Sequence, residues 1–161
     1  MRKRRPAAMI VAALALLVLA AGPALAEMTL AVTDFRTVGC PLFLGGAVAE
    51  QLRGRLAEEP DWIVVEKGQV AAVAAEHRLS LSGLVDDATA VKVGHYLGAR
   101  YVIVGSVNAA GGLYTLAARL VDVESGVALL GFETASDTGQ EGVLEASRVL
   151  ADQIIQELSG N

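Results

Sequence analysis

Cysteine is almost missing from this chain, with Cys40 alone among 161 residues. An intrachain disulfide is therefore excluded, even in an oxidising compartment. A lipid-anchored protein needs its cysteine directly behind an export segment, whereas Cys40 lies beyond the first predicted strand, so no lipid anchor is expected. A lone thiol in such a place reads as a small, partly buried hydrophobe rather than a reactive group. Histidine is nearly as scarce. His95 has no His, Cys or carboxylate three or four residues away, so the spacing offers no zinc site. His77 falls near the end of a predicted helix, where the dipole favours an imidazolium, and reads as a solvated cap. The glycine-bearing segment 36–46 lacks the Gly-Lys-Ser/Thr ending that sets a lysine and a hydroxyl on nucleotide phosphates, so it is not a P-loop.

Long apolar runs are also missing, except for one at the N-terminus. Arg2, Lys3, Arg4 and Arg5 precede an apolar run from Ala7 to Ala21, followed by Gly22-Pro23 and Ala24-Leu25-Ala26. A basic start, an apolar middle and a small-residue cleavage site predict a secretory signal peptide over 1–26, removed after Ala26. The run is short for a membrane span of about 20 residues, and Pro23 closes it. Residues 27–161 remain as one globular domain, long enough to bury a core. Four of the thirteen Lys+Arg and none of the eighteen Asp+Glu lie in the leader, so nine basic groups face eighteen acidic ones, a balance of −9. An acidic field of that size repels phosphate backbones and anionic headgroups, which argues against nucleic acid and against electrostatic membrane binding.

The organising stretch runs from Ala88 to Val107. A short amphipathic helix ends near Leu97 at Gly98, a residue that takes the left-handed capping conformation without steric penalty. It feeds a strand, Tyr101, Val102, Ile103, Val104 and Val107, whose nearly continuous β-branched character predicts burial on both faces. Gly105 inside it predicts a bulge or a close approach. Before this come a first strand from Met28 to Asp34, a loop over 36–46 and a helix from Ala47 to Glu58. That helix turns Val48, Leu52 and Leu56 inward and Glu50, Gln51, Arg53 and Arg55 elsewhere. A short strand over 61–66 and a helix from Lys67 to His77 follow, the latter with Val70, Val73 and Ala74 inward, and then a loop with buried leucines over 79–85. Asp86 and Asp87 cap the next helix rather than bind a cation. After the central strand, two glycine-containing turns at 108–112 and 122–126 join three extended runs as antiparallel hairpins. Past a polar linker over 136–141, a closing helix over 143–158 carries Val143, Leu144, Val149, Leu150, Ile154 and Leu158. The expected fold is α/β: a mixed sheet of about five strands in the order β-α-β-α-α-β-β-β-α, with an antiparallel C-terminal meander and flanking helices.

Ser80–Val107, SLSGLVDDATAVKVGHYLGARYVIVGSV, and Gly111–Leu129, GGLYTLAARLVDVESGVAL, resemble the periplasmic domain of the curli-secretion family CsgG. They are also similar to the penicillin-binding-protein activator and TolB N-terminal-like domains. The resemblance covers nearly all of 27–161, including Asp34-Phe35 and the strand end at Val64-Val65-Glu66. It implies a periplasmic scaffold that works through protein–protein contacts and has no catalytic centre or cofactor. Full CsgG channel subunits carry a lipidated N-terminal cysteine and long insertions that form membrane hairpins. Here the connection at 108–112 is a few residues, against about nine to eleven for each membrane-crossing strand, so pore formation is not carried over.

The expected function is therefore non-catalytic work in cell-envelope assembly or secretion, with regulation of peptidoglycan synthesis as the alternative. Envelope proteins are the expected partners, and a homo-oligomer through an exposed sheet edge is compatible with that reading. No catalytic, cofactor or metal residue is assigned. An enzyme or small-ligand binder would have to draw on Asp34, Cys40 and His95, yet proton transfer needs such groups within hydrogen-bond reach. Asp34 at a strand's end is read as a turn or capping residue.

Overall fold

The computed structural model describes residues 27–81 and 86–160. The expected leader, 1–26, and positions 82–85 of the expected leucine loop lie outside the described residues. Six strands form one sheet: β1 (Met28–Val32), β2 (Arg36–Val38), β3 (Trp62–Val64), β4 (Tyr101–Ala110), β5 (Leu113–Asp122) and β6 (Ala128–Ser136). Four helices accompany them among the described residues: α1 (Phe43–Leu56), α2 (Lys67–Glu76), α3 (Asp87–Leu97) and α4 (Gly139–Ser159). The order across the sheet is β3-β1-β4-β5-β6, with β2 also on β4. β1 is parallel to β3 and β4, and β4-β5-β6 is an antiparallel meander. This is the expected mixed α/β architecture.

β4 is the interior strand. Alternate residues of a strand point to opposite faces, so its side chains feed two separate cores. Ile103 and Val107 join Leu30, Val32, Leu116 and Leu120 beneath α1 and α4, which contribute Val48, Leu52, Leu150 and Ile154. Val102 and Val104 join Ala31 and Val121 beneath α2 and α3, against Val70, Ala90 and Val93. At Gly105 the β4–β5 register runs on without a bulge, opposite Ala118. The glycine serves close approach instead: a Cβ there would come within 2.5 Å of the Phe35 ring and of the Ala117 carbonyl oxygen.

The expected helix boundary at Gly98 is found, with φ of 63° and its N–H turned back to the carbonyls of Gly94 and His95. Asp86 caps the same helix, accepting a bond from the Thr89 N–H at 2.8 Å. That bond holds its carboxyl below the usual range, and the Thr89 hydroxyl adds to the effect. Asp87 pairs with Arg119 at 3.1 Å.

Three expectations are corrected. The segment expected as a loop over 36–46 contains β2 and the first turn of α1. β1 pairs only with Tyr101–Ile103, which leaves the edge of the ten-residue β4 free further along, and Arg36–Val38 fills it opposite Ser106–Asn108. The polar linker over 136–141 is shorter than expected, because α4 begins at Gly139. Leu144 and Val149, expected inward, are exposed. The buried stripe of α4 is Val143, Ala146, Ser147, Leu150, Ala151 and Ile154, a three- and four-residue spacing that turns 144 and 149 away.

Candidate functional site

β1 and β3 are parallel neighbours, yet the helices that follow them leave to opposite faces: α1 joins the core containing Ile103, and α2 the core containing Val102. Adjacent strands whose connections diverge open a crevice at their carboxyl ends, the usual ligand-binding position of open α/β sheets. A cavity of about 680 Å³ lies there, lined by Asp34, Phe35 and Arg36 after β1, Arg53 from α1, Lys67, Val70, Ala71 and Ala74 from α2, and Leu81.

Arg53, expected on the polar side of its helix, is only 6% exposed. Its Nη2 donates to the Val32 carbonyl at 2.8 Å and to Asp34 Oδ1 at 3.3 Å, and its Nη1 donates to Glu50 at 2.8 Å. Lys67 Nζ reaches Asp34 Oδ2 at 3.3 Å. Asp34 is thus neither a turn former nor a cap. It receives two cations from two helices at the end of the first strand. The Nε–H groups of Arg53 and Arg36 are buried with no hydrogen-bond partner among the described residues.

A second feature lies on the α2–α3 face. Paired residues on neighbouring strands point the same way. Ser106, Asn108 and Ala110 of β4 therefore share a face with Ala117, Thr115 and Leu113 of β5, and with Gly131, Glu133 and Ala135 of β6. Arg36 and Val38 of β2 join them. Leu113 and Val38 are 47% and 44% exposed, and Gly131, Glu133 and Ala135 are also exposed. Among the described residues, half of this sheet face lacks the helical cover of the other half, and β6 is an edge strand.

Asp34, Cys40 and His95 are not joined by any hydrogen bond or ion pair among the described residues. Cys40 is partly buried, with its Sγ 3.5 Å from the Val107 carbonyl oxygen, and packs against the core under α1 and α4. His95 is on the exposed side of α3, in a shallow depression with Gly98, Arg100 and Glu124. His77 does end α2, and its ring stacks on Tyr96 of α3 at 3.5 Å. Among the described residues, no group of three His, Cys, Asp or Glu side chains is placed to hold a metal ion. No helix of the described residues is long and apolar enough to cross a membrane.

The family described as curli production assembly/transport component CsgG matches residues 15–112. The chain belongs to the CsgG family. A search of curated proteins found no match. Among solved structures, this CsgG-family domain is similar to the LpoB C-terminal domain from Salmonella enterica, with 23% identity and a TM-score of 0.57, covering 76% of this chain and 90% of that one. It is similar also to TolB from Acinetobacter baumannii, with 16% identity and a TM-score of 0.56, covering 83% of this chain and 29% of that one. Lipoprotein GNA1162 from Neisseria meningitidis shows 16% identity and a TM-score of 0.55, with 81% of this chain and 96% of that one covered. At these identities the likeness is one of fold.

Proposed function

We propose that residues 27–161, exported behind a cleaved leader, act in the cell envelope by contacting other proteins during assembly or secretion, without catalysis and without a pore of their own. The carrying observation is the half-uncovered sheet face bounded by edge strand β6. Its centre is built from small residues, Ser106, Ala117, Thr115 and Ala135, with Leu113 and Val38 exposed at its margin. Such a patch of small side chains lets another backbone approach, and the edge offers unpaired N–H and C=O groups to a partner strand. Membership of the CsgG family supports envelope work. The β4–β5 connection supports the absence of a family-type membrane hairpin at that place, since only Gly111 and Gly112 lie between the two strands.

Regulation of peptidoglycan synthesis is the second reading. The fold match to LpoB, which spans 90% of that domain, favours it. So does the resemblance of Ser80–Leu129 to penicillin-binding-protein activators. Photo-crosslinking groups placed at Thr115 and Ala135, with one at Glu157 on α4 as control, separate these readings in intact envelopes. Adducts with a secretion component from 115 and 135 but not 157 support the first reading, and adducts with a cell-wall synthase support the second. Equal labelling from all three positions overturns the assignment of this face.

A further inference from the structure

We infer that the uncovered half of the sheet is a self-association surface, on which a second copy of this chain packs face to face about a two-fold axis lying along the strands between β4 and β5. This pairing rests on the reading of that face as a contact surface and names one occupant for it. Register lays the face out in rows. Arg36, Ser106, Ala117 and Glu133 form one row from β2 to β6, and Val38, Asn108, Thr115 and Ala135 form the next. Ala110 and Leu113 lie beyond them. The first row carries opposite charges at its two ends, three strand spacings or about 14 Å apart. Neither Arg36 nor Glu133 makes an ion pair among the described residues. Glu133 is exposed, and although the Nε of Arg36 is enclosed, its Nη groups are not.

Symmetry makes this layout a complement of itself. A two-fold contact sets residue i on j and j on i. Rotation about an axis along the strands, over the gap between β4 and β5, exchanges β2 with β6 and β4 with β5. Arg36 then meets Glu133 of the second copy, and Glu133 meets its Arg36. The same operation sets Val38 on Ala135, Asn108 on Thr115, Ser106 on Ala117 and Ala110 on Leu113, so charge meets opposite charge, polar meets polar and apolar meets apolar. That pattern singles out a second copy over a foreign protein. An axis running across the strands would instead stack Arg36 on Arg36 and Glu133 on Glu133, so like charges exclude it. Sheets packed in this way keep their strands within about 30° of each other, and small residues at the centre let them close without collision. The face measures about 15 Å by 15 Å, at the small end of specific interfaces, so the pairing is weak and reversible. The balance of −9 on each copy opposes it further, which leaves the crossed ion pairs to fix the orientation.

Sedimentation and methyl spectra of the exported protein, recorded over a hundredfold range of concentration up to the millimolar, test this pairing. A monomer–dimer equilibrium is expected, with the methyl signals of Val38, Ala110, Leu113 and Ala117 moving as dimer forms and that of Val149 on α4 staying still. Glu133→Arg lowers the net negative charge, yet should weaken association at least tenfold because it sets cation against cation. Arg36→Glu should weaken it likewise. Mixed in equal amounts, the two variants should associate at least as tightly as the parent, since both crossed contacts then join opposite charges. A parent that stays monomeric, shifts confined to β6 as edge-to-edge pairing would give, unchanged or tighter association by Glu133→Arg, or a mixture no tighter than its components overturns the assignment. Its failure is distinguishable from failure of the contact reading: a monomeric protein can still give foreign adducts from 115 and 135, and a dimer can form where those adducts do not.

Discussion

The ring of Phe35 lies on the bare backbone of Gly105, where any side chain would collide with it. Phe35 comes from the three-residue link between β1 and β2, two segments that run in the same direction along the edge of β4, so this one contact locks both onto the interior strand. Gly105→Ala should lose about 1–3 kcal/mol of stability, the usual range for overpacking a core. Phe35→Leu combined with Gly105→Ala should lose less than the sum of the two single changes, because the smaller side chain removes one of the two collisions. Urea unfolding of the four proteins checks this, and simple additivity would contradict it.

Arg53→Met should be destabilising by about 2–4 kcal/mol, since it leaves the Val32 carbonyl without its side-chain donor and Asp34 without its buried partner. Lys67→Met removes a half-exposed cation from the same carboxylate and should change stability by under about 1 kcal/mol. Similar losses for the two would show that Arg53 is not the structural anchor.

Asp122 governs part of the acid limb. The Ser125 N–H, bonded to its Oδ1 at 2.7 Å, holds its carboxyl below the ordinary 3.8, and Arg100 at 3.0 Å adds to this against the effect of burial. A native value below the unfolded one means the contribution is full above the unfolded value and disappears as pH falls through the native one. Urea midpoints should therefore fall as pH drops below about 4, and Asp122→Asn should flatten that fall while lowering stability at pH 7. An unchanged acid limb in the variant would assign the dependence to other carboxylates.

Export makes a prediction about mass. Protein recovered from the envelope should begin at Glu27, lighter than the translated chain by its first 26 residues. Intact-mass measurement showing the full 161 residues in that fraction would remove the cleaved-leader proposal.

The interior position of β4 was legible because burial on both faces leaves a continuous run, Tyr101–Val104, that no half-exposed strand needs. Gly98 and Asp86 were legible because helix ends demand particular residue types. β2 was not, since three residues, Arg36–Val38, are too few to display a period, and their pairing depends on how far β4 outruns β1. The crevice was hidden for a related reason. Arg36, Arg53 and Lys67 are scattered along the chain, and Arg53 looks on its helix like any other polar position. Only the divergence of α1 and α2 from neighbouring strands brings the three to one crevice, where Arg53 and Lys67 meet Asp34. The exposure of Leu144 and Val149 shows the same limit, because several apolar residues of one helix compete for a single buried stripe.

The two-glycine turn at Gly111–Gly112, with φ of 59° and 86°, has a kinetic consequence. It closes the longest ladder in the sheet, from Tyr101 opposite Asp122 to Ala110 opposite Leu113, across the smallest loop. That hairpin carries little loop-closure entropy, whereas the pairing of β1 with β4 must bring together segments some seventy positions apart. The meander is therefore the part that can assemble first, and β1 and β3 dock onto a surface already half made. Amide protons of β4 and β5 should be the last to exchange with heavy water, and those of β3 among the first.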